Sequence, residues 1–177
     1  MAIPIRRANP GSIAADSRTF FITSSIAGKR NLLQSDRCAR LFIEVLYHYR
    51  SEHKYFLHNF VVMRDHFHVL STVGPAISIE RAVQLIKGGF AFRAGKELGF
   101  RSPVWQRGFS EVRIYDSEHM SRVREYIAQN PVTQGLAQSP EVYPYSSSHS
   151  GFQLDDIPQG LKPRIFCTEN GTSEDVP

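Results

Sequence analysis

A length of 177 residues favours a single domain. A hydrophobic content of 41% excludes global disorder. The formal charge is +4, with 21 Lys and Arg against 17 Asp and Glu, and it is unevenly spread. Residues 151–177 hold two basic side chains (Lys162, Arg164) and five acidic ones (Asp155, Asp156, Glu169, Glu174, Asp175). The first 150 residues are left with 19 basic and 12 acidic groups, about +7, against about −3 in the last 27. A basic body suits a polyanionic partner such as nucleic acid, although many basic proteins bind none. The two cysteines, Cys38 and Cys167, lie far apart and outside any paired motif. They build neither a zinc ribbon nor a disulfide framework, and a reducing, cytoplasmic setting fits best. Met1-Ala2-Ile3-Pro4-Ile5-Arg6-Arg7 has no signal-peptide core. No apolar run approaches the roughly 20 residues that span a bilayer, so no membrane partner is expected.

Residues 1–17, rich in Pro, Gly and Ala, read as an arm. Thr19 to Ser25 is β-branched and aromatic, which predicts a strand. Ser35 or Asp36 caps a helix reaching about His53, with Leu41, Val45, Leu46 and Tyr49 at helical spacing. Phe56–Met63 reads as a strand, Arg64-Asp65 as a tight turn, and His66–Thr72 as a second strand paired with the first. After Gly74-Pro75, Ser78 caps a helix to about Leu98, locally weakened by Gly88-Gly89. Residues 99–108 form a loop and Phe109–Tyr115 a strand. Asp116 or Ser117 caps a last helix, which Pro131 is expected to end. A polar tail is expected over 151–177, leaving 18–150 as the folded domain. Strand, helix, strand, strand, helix, strand, helix fits an α+β sandwich of the ferredoxin-like kind, with an antiparallel sheet and helices packed on it.

His66 and His68 are two apart on a predicted strand, so both imidazoles share one face. Their Cα atoms lie about 6.5–7 Å apart, near enough for two nitrogens to share one metal ion. A pair of surface histidines or a buried polar pair has the same spacing. On the last helix, Met120, Val123 and Ile127 form the buried stripe. Tyr126 and Asn130, at i and i+4, fall together on its flank, about 6 Å apart along the axis. Each also has an ordinary explanation, as a rim tyrosine and as a residue chosen before proline. His119 sits on the same flank but about 10 Å earlier, too far to share an ion with Asn130. In Trp105-Gln106-Arg107-Gly108-Phe109, an aromatic beside Arg and Gly suits base stacking and phosphate binding. A structural tryptophan is the equal alternative.

Val62-Met63-Arg64-Asp65-His66-Phe67-His68-Val69-Leu70 resembles the signature of single-tyrosine HUH transposases. Trp105–Phe109 and Tyr126-Ile127-Ala128-Gln129-Asn130-Pro131-Val132 resemble two further hallmarks, in particular those of the REP-associated tyrosine transposases. The resemblance runs from about Thr19 to Ser148. It implies metal ligands at His66, His68 and Asn130, a nucleophile at Tyr126, and Mg²⁺ or Mn²⁺ as the ion. It further implies nicking and rejoining of single-stranded, hairpin-containing DNA through a 5′-phosphotyrosine link. Arg64 departs from the proline usual in the turn before the histidines. No second tyrosine follows Tyr126 at helical spacing, which disfavours the two-tyrosine type. A monomer and a homodimer both remain open. For DNA contacts, Trp105, Gln106 and Arg107 are expected in the loop, with Trp105 and Arg107 reading sequence. Lys87, Arg93 and Lys96 are expected to contact phosphate, with Lys87 and Lys96, as flexible point charges, acting uniformly on all DNA. The competing readings are a non-catalytic nucleic-acid-binding module and a phosphoesterase that uses water.

Overall fold

A computed structural model describes residues 17–158. The expected arm falls outside these residues except for Ser17, and so does the tail beyond residue 158. The elements are β1 (Arg18–Ser25), α1 (Asp36–Ser51), β2 (Phe56–Val62), β3 (His66–Val73), α2 (Ile79–Leu98), β4 (Ser110–Ile114) and α3 (Ser117–Thr133). Every element type agrees with the sequence reading, and boundaries shift by one or two residues except at the end of α3. The caps are those expected. Ser35 Oγ accepts from the backbone N–H of Cys38, and Ser78 Oγ from that of Arg81. Asp116 accepts from the N–H of His119 at the start of α3.

The strands form one antiparallel sheet in the order β2-β3-β1-β4. With the βαββαβ connection, that is the ferredoxin-like arrangement, followed by one extra helix. Alternation assigns each strand residue to a face. Phe20 and Ile22 of β1, Phe60 and Val62 of β2, and Phe67 and Val69 of β3 point toward α1 and α2 and form the larger core. Val61, Leu70 and Ile114 point the other way and pack on Met120, Val123 and Ile127 of α3. The predicted buried stripe of α3 is thus the stripe that is buried.

Gly89 explains the weak point in α2. A Cβ there would lie 2.8 Å from Cε2 of Tyr49, so the missing side chain lets α1 and α2 approach closely. Arg64-Asp65 is the expected two-residue turn, closed by Met63 N–H to His66 O at 2.8 Å.

Two expectations fail. Pro131 does not end α3, which runs on to Thr133. Proline in the last turn removes only one intrahelical hydrogen bond, and the end is secured from both sides. Gln134 N–H bonds the carbonyls of Asn130 and Val132, and Leu136 N–H bonds that of Pro131. The boundary at residue 150 also cuts a packed segment. Phe152 and Leu154 lie against the larger core. Asp155 makes two 2.8 Å bonds to Arg50 and accepts from Leu57 N–H at 2.7 Å. Residues 145–155 run along the outer edge of β2, with Val62 N–H to Tyr145 O, Ser147 N–H to Phe60 O and Asp155 N–H to Leu57 O. Among the described residues, no helix is long and apolar enough to cross a membrane.

Candidate active site

β3 and α3 bring His66, His68, Tyr126 and Asn130 to one place. His66 and His68 stand on the α3 face with ring centroids 4.9 Å apart. The His68 ring lies 5.3 Å from the Tyr126 ring, edge on. Phe21 of β1 stacks on His68 at 5.3 Å and meets Tyr126 at 5.7 Å, so one phenyl ring supports both. Tyr126 is 51% exposed, whereas Asn130, one turn later, is 7% exposed. Asn130 Nδ2 lies 3.4 Å from His68 Nε2. Its Oδ1 is buried without a hydrogen-bond partner.

An unpartnered buried carbonyl oxygen is costly unless something else satisfies it. It belongs to an amide whose Nδ2 lies beside an imidazole nitrogen, which makes His66, His68 and Asn130 the residues able to hold a divalent ion. Burial pushes the His68 pKa down to about 3, and the neighbouring His66 adds to the fall. A neutral imidazole is the form that binds metal. Among the described residues, no three His, Cys, Asp or Glu side chains cluster, and the side chain available as a third donor beside the two histidines is the Asn130 amide.

Two residues of the site went unnoticed in the sequence. Asp65 Oδ1 lies 2.6 Å from His66 Nδ1, and Thr23 Oγ1 lies 2.8 Å from His68 Nδ1. Burial works against the Asp65 carboxylate. The hydrogen bond from His66, with the charges of His66 and Lys29, nevertheless holds its pKa below the usual range. An acid directly before a candidate ligand histidine was a signal in the sequence. Thr23 becomes visible only once β1 and β3 are in register, where it stands directly opposite His68. His119 sits in the first turn of α3, as expected of a residue apart from the site.

The expected DNA contacts divide. Trp105 packs on Phe42, Phe67 and Phe90 with centroids 5.3–5.8 Å away, and its Nε1–H donates to Lys87 O at 2.8 Å. That surrounding favours the structural alternative over the base-stacking one. Lys87 is not a loose point charge. Its Nζ donates to Gln106 O at 2.9 Å and to Gly108 O at 2.6 Å, and burial pushes its pKa down. Arg93 is engaged by Glu44 and Glu97. Lys96 is exposed on α2, beyond the sheet from the histidines. Gln106 and Arg107 are also exposed, and their loop reaches the site's end of the sheet. Gln106 N–H bonds Ser25 O, and the next residue along, Ile26, bonds Asp65 O. With Lys29 they line an open cleft of about 470 Å³.

Comparison with known proteins sets this geometry in a family. Residues 21–130 match the family described as Transposase IS200 like. A Haemophilus influenzae protein named as a REP-associated tyrosine transposase is 29% identical over 108 residues, which is 55% of this chain and 61% of that protein. The chain thus spans less than two thirds of that relative. Among solved structures, a REP-associated tyrosine transposase bound to a REP hairpin superposes with a TM-score of 0.67 at 18% identity, over 93% of this chain and 99% of that one. A protein of Deinococcus radiodurans described as a transposase gives a TM-score of 0.51 at 16% identity, over 70% and 95% of the two chains. Both share the fold. The family match extends over more than half of the sequence, from Phe21 under the histidines to Asn130 beside them, and the chain belongs to the IS200-like transposase family.

Proposed function

We propose that this protein nicks and rejoins single-stranded, hairpin-bearing DNA, with Tyr126 as nucleophile and a divalent ion held by His66, His68 and Asn130. One observation carries the reading: an exposed phenol stands edge-on to a buried neutral imidazole, one helical turn from an amide oxygen with no partner. The donor set of two imidazoles and an amide suits Mg²⁺ or Mn²⁺. Bound there, the ion would neutralise charge developing on the scissile phosphate.

The chain's own groups do the rest. Tyr126, exposed on the rigid flank of α3, presents its oxygen to a phosphate lying across the histidine face. The phenolic oxygen bonds to phosphorus, and the bond from phosphorus to the 3′ oxygen breaks. The phenol loses its proton and the departing 3′ oxygen gains one. A 5′-phosphotyrosine link and a free 3′-hydroxyl result. The link conserves the energy of the phosphodiester, so another 3′-hydroxyl can reverse the step and seal a strand without ATP. Phe21 keeps His68 and Tyr126 in mutual contact. Gln106, Arg107 and Lys29, on the exposed cleft beside Asp65, are placed to hold the single strand on either side of the cut.

The known hairpin-bound relative of like fold makes a REP-type hairpin the substrate to try first. The test incubates the protein with a labelled hairpin oligonucleotide and Mn²⁺, then denatures it. A protein–DNA adduct resistant to denaturation, lost on chelation and in His66→Ala and His68→Ala, is expected. Cleavage without an adduct would instead indicate water as nucleophile, and binding without cleavage a non-catalytic module.

A further inference from the structure

We propose that Asp65 and Thr23 are positioning residues that fix His66 and His68 as Nδ1–H imidazoles, leaving the Nε2 lone pair of each ring for a ligand. The inference rests on the reading of His66, His68 and Asn130 as ligands, and it assigns work to two side chains that touch no substrate.

A neutral imidazole carries one N–H and one lone pair, and the hydrogen bond at one nitrogen decides what the other offers. An ionised carboxylate only accepts. With Asp65 Oδ1 2.6 Å from Nδ1 of His66, that nitrogen has to be the N–H, and Nε2 keeps the lone pair. The carboxylate is itself held in place. Its turn is closed by Met63 N–H to His66 O, Arg64 O accepts from Leu33 N–H, and Asp65 O accepts from Ile26 N–H. Lys29 Nζ stands 3.7 Å from the other carboxylate oxygen.

Thr23 supplies the second support. It lies opposite His68 in the β1–β3 register, and its Oγ1 is 2.8 Å from Nδ1. Threonine is β-branched, so its side chain has few rotamers in which to lose that contact. A hydroxyl both donates and accepts, so the other side of the ring decides the tautomer. Nε2 of His68 faces the Asn130 amide, with Nδ2 at 3.4 Å and Oδ1 unpartnered. Oxygen and nitrogen of an amide exchange places by a flip. A lone pair on Nε2 accepts from the amide N–H in the free protein and shares a cation with the amide oxygen in the loaded one. An N–H at Nε2 would instead donate to the flipped amide oxygen in the free protein, but it would leave no lone pair on that nitrogen for a cation.

The test reads tautomers and affinity separately. In metal-free protein labelled with ¹⁵N-histidine, two-bond ¹H–¹⁵N spectra should report Nδ1–H forms for His66 and His68. Asp65→Ala should release His66 to a tautomer mixture and weaken Mn²⁺ binding, measured by calorimetry with a hairpin oligonucleotide present, by about 10–100-fold. Asp65→Asn keeps an acceptor oxygen and should hold the tautomer. Thr23→Val, which keeps the strand-favouring shape, should act on His68 alone, and Thr23→Ser should restore it. Melting curves on the same samples separate these effects from misfolding. Nε2–H forms in the wild type, or unchanged spectra and affinity in both Asp65→Ala and Thr23→Val, would overturn the proposal. Wild-type protein with both Nδ1–H forms but no Mn²⁺ uptake would sustain the tautomer assignment and overturn the ligand reading instead.

Discussion

On the face covered by α1 and α2, the polar groups of Trp105 and Lys87 are satisfied within the chain. Trp105 gives its N–H to Lys87 O, and Lys87 gives its ammonium to two loop carbonyls. On the face covered by α3, a buried histidine sits 3.4 Å from a buried amide whose oxygen has no partner, and a tyrosine half out in solvent stands beside them. The same sheet carries both faces, on alternate residues of the same strands. The first face reads as scaffold and the second as apparatus. A polar group with every bond satisfied says little about function, whereas the unsatisfied Asn130 oxygen, within the candidate site, is a place for a ligand to bind.

The contrast can be broken at its most exposed point. Tyr126→Phe removes one hydroxyl from a side chain that is 51% exposed. Adduct formation should fall by at least about a thousandfold, to the detection limit, with hairpin affinity and melting temperature nearly unchanged. Residual nicking at wild-type rate would remove Tyr126 from the chemistry. The opposite pattern is expected on the scaffold face. Trp105→Ala should cost about 3 kcal/mol of stability, read from denaturant unfolding, because three phenylalanines lose their common neighbour. Specific and non-specific DNA affinity should fall together. A change in their ratio with stability intact would return Trp105 to base recognition.

Acid should act on the α3 face. Burial keeps His68 neutral, with its pKa pushed down to about 3, and pushes that of His58 down as well. The unfolded chain takes up protons near pH 6.5 that these folded histidines refuse. Their contribution to stability is therefore full above about pH 6.5 and is lost progressively as pH falls below it. The urea midpoint should drop between pH 7.5 and 5, and His58→Gln should flatten the drop. An identical slope in that variant would exclude His58 as a contributor. The smallest effect belongs to Lys96, exposed on α2. Lys96→Ala should weaken binding to all DNA alike, by less than about threefold, and lower the salt slope by at most about 1. A selective loss for hairpins would place α2 in the recognition surface.

What the sequence made legible was whatever periodicity encodes. Met120, Val123 and Ile127 fixed the buried stripe of α3, and the 100° step then put Tyr126 beside Asn130. Strand alternation put His66 and His68 on one side. Partners that depend on register between distant strands were not legible, and Thr23, 45 residues before His68, is the example. Nor was the fate of a loop. Trp105 in a Gly- and Arg-containing stretch has the same letters whether it faces solvent or three phenylalanines. Asp155 misled because an acidic, polar run looks solvated. Its partner Arg50 is 105 residues away on α1. Pro131 misled because a rule about the residue before proline yields when a helix has two residues left to run and a fixed end.

The segment 145–155 has a consequence for how the sheet can grow. It occupies the backbone groups along the outer side of β2, so that margin is closed to any newcomer. Among the described residues, no strand lies beyond β4. That strand is five residues long and bears Glu111 and Arg113, a short and charged edge of the kind that discourages casual pairing. The sheet therefore has a direction: a strand arriving from elsewhere in this chain, or from another copy, can join at β4 and has no berth at β2.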